Sequence, residues 1–367
     1  MTSFDLRLLS PNTGTFSVIA SKEDKDIVVK LHRLNEYLSP DSLPEKSNKD
    51  SHWNPRFGNM FHMTGDSSMF YTEDAIHAAG GKIEPEDWVG SLDGAELHPL
   101  YESKLVDSYN YRYSTFEGVS QNHMYGTKPR TILASLANLN DSRWNPKPRY
   151  WVHSDEVDKR TPSDWDKPFL IGFRNAMSAT ADSRSFRATL LPRDGMGHSI
   201  QLLYPSATCI ESLCLVGNLN SLILDYAVKN KVTGGNMKIY LVRQLPVIAK
   251  ERYSSEELEY VASRVASLSR TSRLPLDELN FYSEPKSHSW DPLWRDTLRS
   301  ELDAFFAFKY GLGRDELEFI LGPEYCDAPI GQASSVFSVL LSCEYREYGE
   351  YRTRRLVLEA WNRLFGV

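Results

Sequence analysis

Residues 170–247 read LIGFRNAMSATADSRSFRATLLPRDGMGHSIQLLYPSATCIESLCLVGNLNSLILDYAVKNKVTGGNMKIYLVRQLPV, and this stretch decides the fold. Apolar runs in residues 169–177 and 184–192 flank the polar segment SATADS and predict two strands that face each other. Apolar residues recur at helical spacing over residues 209–229, which predicts a packed helix. The turn VTGGN then leads into residues 237–247, which predict a strand that ends at a proline.

The same stretch is locally basic in a chain that is acidic overall. The formal net charge of the 367 residues is −7, whereas residues 170–250 hold nine Lys or Arg and four Asp or Glu side chains. A basic window in an acidic chain is typical of a surface that meets phosphates on one side only. A solvated basic face without a ligand explains the charges equally well, so charge alone leaves both interpretations open.

The N-terminal part predicts a strand–strand–helix unit. Residues 4–9 and 15–20 have the composition of short strands, and Ser21 is placed to cap a helix over residues 22–38. A second, short helix is predicted to begin after Thr72 and to close at a Gly-Gly pair.

The C-terminal third predicts a layer of helices. Residues 254–270 begin with a serine and a glutamate at the spacing of a capping box. Amphipathic patterns continue over residues 290–310, 314–321 and 348–365. Together with the strands, these patterns predict an α+β fold with a mixed β-sheet core and a helical C-terminal layer.

The tyrosine-rich residues 97–118 allow two interpretations. Flat aromatic rings beside Lys104 and Arg112 are suited to stacking on bases or sugars. Tyrosines at alternating positions 109, 111 and 113 are equally typical of an ordinary half-buried strand.

Several classes of protein find no support in the sequence. The four cysteines lack CxxC spacing, which argues against a zinc site or a disulfide framework. No apolar run approaches the roughly 20 residues that span a bilayer, and no signal peptide is apparent, so we expect a cytoplasmic protein. The histidines show no HxH or HxxxH spacing, and no GxSxG elbow occurs. The acidic pairs Asp315-Glu316 and Glu256-Glu257 lie on predicted helices with no ExK sequence nearby, which argues against a nuclease site.

Six segments resemble, in chain order, parts of large adenine-specific DNA methyltransferases of type IIG and IIL restriction-modification systems and DISARM-like phage defence. The FHMTGDSSMF segment is similar to a family sequence close to FxMTNDS, and GFRN stands where the family commonly has GFRD. The resemblance implies a target-recognition region followed by a helical tail. The similar segments are residues 9–32, 61–70, 99–118, 172–192, 218–247 and 346–364.

The catalytic parts of that family are missing here. Its enzymes flip an adenine out of the duplex and hold it with a [DNS]PP[YFW] motif. Residues 10–13, 54–57 and 145–148 each lack the second proline, and no glycine-rich turn suited to S-adenosylmethionine follows a strand. We therefore expect no cofactor in this chain, and expect S-adenosylmethionine in a separate catalytic partner chain.

Candidate DNA contacts follow from the resemblance and from the charges. The turn at residues 231–238 ranks first, because glycines permit close backbone approach, an asparagine can read a base edge and lysines supply charge. A plain turn is the alternative interpretation there. For Arg174, a phosphate contact and a buried structural role are equally supported. The predicted DNA-binding residues are Lys104, Tyr109, Arg112, Arg174, Arg184, Arg187, His198, Lys231, Asn236 and Lys238.

The resemblance also sets the expected organisation and function. Residues 1–50 are expected to correspond to the end of a methyltransferase domain, residues 51–250 to a DNA-reading domain and residues 251–367 to the helical region. The hypothesis is a non-catalytic specificity subunit that binds double-stranded DNA and a methyltransferase catalytic subunit. The rival hypothesis is a scaffold or regulatory subunit of a phage-defence complex that does not touch DNA.

Overall fold

A computed structural model describes residues 8–11, 19–39, 53–232, 234–276, 290–325 and 333–366. Its mixture of helices and strands confirms the predicted α+β class. The helices are α1 Lys22–Leu34, α2 Glu73–Ala78, α3 Gln121–Met124, α4 Leu136–Asn140, α5 Ser154–Arg160, α6 Cys209–Leu219, α7 Leu222–Lys231, α8 Ile239–Val242, α9 Ser255–Ser269, α10 Pro292–Lys309, α11 Arg314–Leu321, α12 Ser338–Tyr348 and α13 Arg352–Phe365. The strands are β1 Glu36–Tyr37, β2 Arg56–Gly58, β3 Lys82–Glu84, β4 Val89–Leu92, β5 Ala95–Tyr101, β6 Ser114–Thr115, β7 Ile132–Leu133, β8 Trp151–His153, β9 Leu170–Arg174, β10 Ala188–Leu191, β11 Gly195–Met196, β12 Ile200–Tyr204 and β13 Pro246–Val247.

The central sheet is antiparallel and has the strand order β10-β9-β12-β2. β9 and β10 pair with Gly172 opposite Thr189, which confirms the two facing strands predicted from the sequence. β12 pairs with β9 on one side and with β2 on the other. Successive residues of β9, β10 and β12 are buried, so both faces of the sheet are covered and the strands consist of continuous apolar runs.

A second sheet joins the first through the loop between β10 and β12. Its strand order is β11-β5-β4-β3, and β8 also pairs with β5. β11 runs parallel to β5, whereas the other pairs in this sheet are antiparallel. This combination is the mixed β-structure that the sequence predicted.

The single helix predicted over residues 209–229 is two helices, α6 and α7. Thr208 caps α6 in a capping box with Glu211, and the Ser221 side chain caps α7. Between them, the Asn220 side chain accepts from the backbone N of Ala188 and donates to its O. The break was not predicted, because the apolar spacing continues across it.

The strand predicted over residues 237–247 is wrong. A short helix, α8, and the two-residue strand β13 occupy this range, and β13 pairs with β1. The backbone N of Leu241 donates to Lys238 O, which closes a turn instead of extending a ladder. The β-branched composition was therefore overridden by tertiary context.

The tyrosine-rich segment does not form a strand at residues 109–113 either. The backbones of Asp107 and Asn110 exchange hydrogen bonds of 2.7 and 2.9 Å, and Tyr109 has a left-handed φ of 58°. The rings of Tyr109 and Tyr111 are nevertheless buried. The alternating tyrosines therefore predicted buried rings correctly, but the strand that they also predicted is wrong.

The N-terminal predictions are partly tested. Residues 1–7 and 12–18 lie outside the described ranges, and the described end of the first predicted strand, Leu8 and Leu9, is helical. The helix after Ser21 is confirmed as α1, with the Ser21 side chain accepting from Asp24 N, although it ends at Leu34. The short helix after Thr72 is confirmed as α2.

The C-terminal helical layer is confirmed. α9 begins with the predicted capping box of Ser254 and Glu257, and α10 and α11 match the predicted ranges closely. The last predicted helix begins at Arg352 and not at residue 348, and α12 was not predicted. In the described part of the chain, no helix has the length and apolar character needed to cross a membrane.

One hydrophobic cluster runs through all three predicted segments. It includes Leu31 of α1, Leu202 of β12 and Val357 of α13, each 0% exposed. The sheet and the helical layer therefore share a core. The helices of this core approach closely at Gly217 of α6, where a β-carbon would lie 2.8 Å from Val261 Cγ1 and 3.3 Å from Phe306 Cε2.

Substituting Gly217→Ala tests this close approach. In a helix, alanine is more favourable than glycine by about 1 kcal/mol. Here we nevertheless expect a loss of about 1–3 kcal/mol in the free energy of unfolding, because the added methyl group pushes α6 away from α9 and α10. Chemical denaturation measures the change. Gly234→Ala is the control, because a β-carbon there would meet no heavy atom within 4 Å. A Gly217→Ala variant as stable as the parent would contradict the packing.

Candidate functional site

A cleft lies where three segments of the central sheet meet. β2 and β9 both run antiparallel to β12, so their carboxyl ends lie beside the start of β12. Asn59 follows β2, Asn175 follows β9 and His198 precedes β12. We call this cavity the Lys238 cleft; its volume is about 510 Å³. Its lining residues are Asn59, Met60, His62, Asp66, Asn175, His198, Gln201, Lys238, Ile239 and Tyr240.

The segment before α8 forms one wall of the cleft. The backbone N of Met237 donates to Asn175 O at 2.6 Å, and Met177 N donates to Gly235 O at 3.1 Å. These bonds fasten the Gly-Gly turn to the strand end after β9. Lys238 is exposed beside that attachment, and Tyr240 is 49% exposed. The wall therefore presents a cation and an aromatic ring to solvent.

Two stacked imidazole rings form another part of the lining. The ring centroids of His62 and His198 lie 4.6 Å apart at an interplanar angle of 24°. Backbone bonds position both residues, because His198 N donates to Phe61 O at 2.7 Å and Met63 N donates to His198 Nδ1 at 3.4 Å. Partial burial, together with the nearby charges of His62 and Lys238, lowers the pKa of His198.

The acidic side chain in the lining, Asp66, is already engaged. Its Oδ2 accepts from His62 N at 2.6 Å, and its Oδ1 lies 3.7 Å from Nη2 of Arg160. The guanidinium of Arg160 in turn lies over the ring of Phe61. Asp66 therefore orients the His62 loop and remains a carboxylate in the lining, because Arg160 pairs more closely with Glu156.

Three of the predicted DNA-binding residues belong to this region. His198 and Lys238 line the cleft, and Asn236 is exposed in the segment that forms its wall. Asn236 forms an isolated β-bridge with Ala176, and its side chain stays at the surface. The turn that ranked first in the sequence is thus a surface feature.

Three further predicted residues line a second, polar pocket of about 180 Å³ between the sheet and the C-terminal helices. Tyr109 is buried there, and its hydroxyl donates to Gly217 O at 3.4 Å. Arg184 forms an ion pair of 2.6 Å with Asp303 of α10. Arg187 lies 3.3 Å from both Asp107 and Asp182. These contacts correct their assignment, because the arginines are neutralised by carboxylates of the same chain.

Arg174 also has a structural environment. Its Nη1 lies 3.5 Å from Val106 O, and its Nε is buried without a partner in the described part of the chain. Burial, followed by the charge of Arg187, lowers the pKa of Arg174. The buried structural role is therefore favoured over a phosphate contact.

The remaining three predicted residues donate to backbone carbonyls of the same chain. Lys104 donates to Pro129 O at 2.8 Å. Arg112 is 2% exposed and donates to the carbonyl oxygens of Asp141, Trp144 and Leu139. Lys231 is 9% exposed and donates to Gln244 O at 3.0 Å. The assignment of Arg112 and Lys231 as DNA contacts is corrected, because a buried cation cannot reach a phosphate, whereas Lys104 is half-buried and stays a prediction.

The sequence did not identify four of the cleft's polar side chains: His62, Asn175, Gln201 and Tyr240. His62 lies in the FHMTGDSSMF segment that carried the resemblance. Asn175 was noted as a departure from GFRD. Both signals were present in the sequence, but nothing in it placed residues so far apart along the chain at one strand end.

Comparison with protein-family models gives no match, and comparison with curated proteins gives none either. The methyltransferase family therefore stays a prediction from the sequence. Among the described residues, no group of three or more His, Cys, Asp or Glu side chains is arranged to hold a metal ion.

The buried Lys231 predicts an unusual dependence of stability on pH. Burial lowers its pKa to about 7, so between pH 7 and about 10 the unfolded chain binds a proton that the folded chain does not. The destabilisation caused by burying the charged Lys231 ammonium is fully present below pH 7. It decreases as the pH rises toward 10, so the free energy of unfolding increases over this interval. For Lys231→Met we expect the slope of unfolding free energy against pH in this window to fall by up to about 1.4 kcal/mol per pH unit.

Chemical denaturation at a series of pH values measures that slope. Lys238→Met is the matched control, because Lys238 is exposed. Parallel curves for the parent and Lys231→Met would show that the Lys231 amine is solvated.

Proposed function

We propose that this chain is the DNA-binding specificity subunit of an adenine-specific DNA methyltransferase in a cytoplasmic restriction or phage-defence system. A separate catalytic chain supplies S-adenosylmethionine binding and the motif that holds the flipped adenine. The observation that carries the DNA-binding part is the Lys238 cleft, which combines an exposed cation, two imidazoles and an exposed tyrosine. The methyltransferase part rests on the sequence resemblance alone.

The physical argument is one of complementarity. A duplex presents phosphates at its edges and base edges in its grooves, so a reader needs cations and donors for the first and amides for the second. The cleft region offers Lys238 and the histidines for phosphates, and Asn236 for a base edge. The net charge of −7 makes such local contacts necessary, because bulk attraction is unfavourable.

Lys238→Ala tests the DNA-binding part. Loss of one phosphate contact is expected to weaken duplex binding severalfold and to reduce the slope of log affinity against log salt by about 1. Fluorescence anisotropy with a labelled duplex at 50–200 mM salt measures both quantities, with the catalytic partner present if the chain alone binds too weakly.

Lys82→Ala is the control for charge alone. Lys82 is an exposed lysine on β3, the strand at the far end of the second sheet from β11. Equal losses for both variants would mean that binding depends on overall charge and not on the cleft.

The absence of catalytic motifs from the sequence gives a second test. The purified chain is expected to transfer no labelled methyl group to duplex DNA, because it supplies neither donor binding nor an aromatic platform for a flipped adenine. Adding a candidate catalytic partner should restore transfer. Methylation by the chain alone would refute the proposed division of labour.

One observation favours the rival function, a scaffold or regulatory subunit that does not touch DNA. Arg112, Arg184 and Arg187 all serve internal contacts, which leaves few cations for a duplex. Undetectable duplex affinity at low salt, even with the partner present, would favour the scaffold.

A further inference from the structure

We propose that the Lys238 cleft is an oxyanion site that binds one phosphate group through the Nε2–H groups of His62 and His198 and the ammonium of Lys238. The inference rests on the proposed function only for the source of the phosphate, a phosphodiester of duplex DNA. The site itself follows from the way in which the backbone fixes the two imidazole rings.

The hydrogen bonds of His62 determine which ring nitrogen carries the proton. Its Nδ1 accepts from the backbone N of Gly65 at 3.2 Å and is 3.4 Å from that of Thr64. A nitrogen that accepts a hydrogen bond carries no proton, so the neutral ring holds its proton on Nε2. His62 is exposed, and its Nε2 has no partner in the described part of the chain. Its free donor faces solvent.

His198 has the same tautomer for the same reason. Its Nδ1 accepts from the backbone N of Met63 at 3.4 Å, which leaves the proton on Nε2. The carbonyl of His198 also accepts from the Gln201 side chain at 2.6 Å, so the loop is held on both sides of the ring. Stacking at 4.6 Å keeps the two rings together in one wall.

The other groups at the cleft suit an anion. Lys238 supplies a positive charge, and no ion-pair partner for it occurs among the described residues. Asn175 buries its Oδ1, so its Nδ2 donor is the end that remains accessible. Asp66 is occupied by His62 N and Arg160. A ligand that offers several acceptors and negative charge, as a phosphate does, matches these donors.

The fixed tautomers give the site a distinctive pH behaviour. Protonating either ring would place a proton on Nδ1 and break its bond from Gly65 N or Met63 N. The hydrogen bonds of the two rings therefore match imidazoles that accept at Nδ1 and donate from Nε2. The other ionisable groups near the rings are Asp66 with Arg160, Glu102 with Arg149, Lys238 and Tyr240.

The first experiment titrates the full chain with sulfate, which keeps its charge between pH 6.5 and 8 and so isolates the protein's own titration. We expect binding in the millimolar range that changes less than about threefold over this interval. A site that needed imidazolium would lose about tenfold per pH unit above the histidine pKa. Long-range ¹H–¹⁵N spectra of the imidazoles should show the Nε2–H form for both rings and shifts at both Nε2 atoms on binding.

Two substitutions at one position separate donor from structure. His198→Asn keeps an acceptor near the position of Nδ1 but removes the distal donor, and should weaken sulfate about tenfold. His198→Gln returns an amide donor near the position of Nε2 and should recover most of the affinity. Equal losses for both variants, with unchanged stability, would overturn the role of the Nε2–H donor.

Duplex DNA and inorganic phosphate then identify the source of the phosphate. We expect a short duplex to shift the same two Nε2 resonances, and sulfate to compete with it. Sulfate or phosphate binding without duplex binding would keep the oxyanion site and refute the DNA-binding function. Duplex binding that leaves both imidazoles unshifted would overturn the oxyanion site while leaving DNA binding intact.

Discussion

The cleft depends on one constraint, which is the antiparallel pairing of β12 with two strands at once. Since β9 and β2 both pair antiparallel with β12, they run in the same direction, and the segments that follow them begin at the same edge of the sheet. Beyond β2, a separate parallel bridge joins Phe61 to Gly197, where Phe61 N donates to Met196 O at 3.1 Å and His198 N donates to Phe61 O at 2.7 Å. Backbone hydrogen bonds, and not side-chain attraction, bring the two histidines together.

The basic character of the central stretch has a different origin from the one that the charges first suggest. Arg184 is 119 residues from its partner Asp303 in sequence, and no local pattern reveals such a pair. A cation buried at the joint between sheet and helices needs a carboxylate, because an unpaired buried charge is costly. Arg184 and Arg187 of the basic window are therefore complements of acidic groups of the same chain, whereas Lys238 stays exposed beside the cleft.

Sequence reasoning was strongest where one local rule acts alone. The cap at Ser21, the capping box at Ser254 and the apolar runs of β9 and β10 were predicted correctly, because each depends on a few adjacent residues. It failed where tertiary contacts compete with local pattern, as at the break after Asn220.

The same limit explains how much of the site could be predicted. Lys238 and Asn236 were predicted because a Gly-Gly turn with flanking lysines is typical of an exposed turn, and both residues are exposed. Lys231 has the same local signal but lies on the inner side of α7, and only the fold distinguishes the two lysines. His62 and His198 stand 136 positions apart in the numbering, so their stacking depends wholly on sheet register.

The shared core determines which parts of this chain can be exchanged. Gly217 of α6 packs directly against Val261 of α9 and Phe306 of α10. The surface of α6 that faces these helices is therefore buried and would be apolar if the C-terminal helices were removed. A chimaera that took only residues 170–247 from another protein would place helices side by side whose surfaces do not match. Apolar residues would then be exposed where the two parts join. An exchange that preserves the packing at Gly217 therefore has to transfer α9 and α10 together with the sheet and α6.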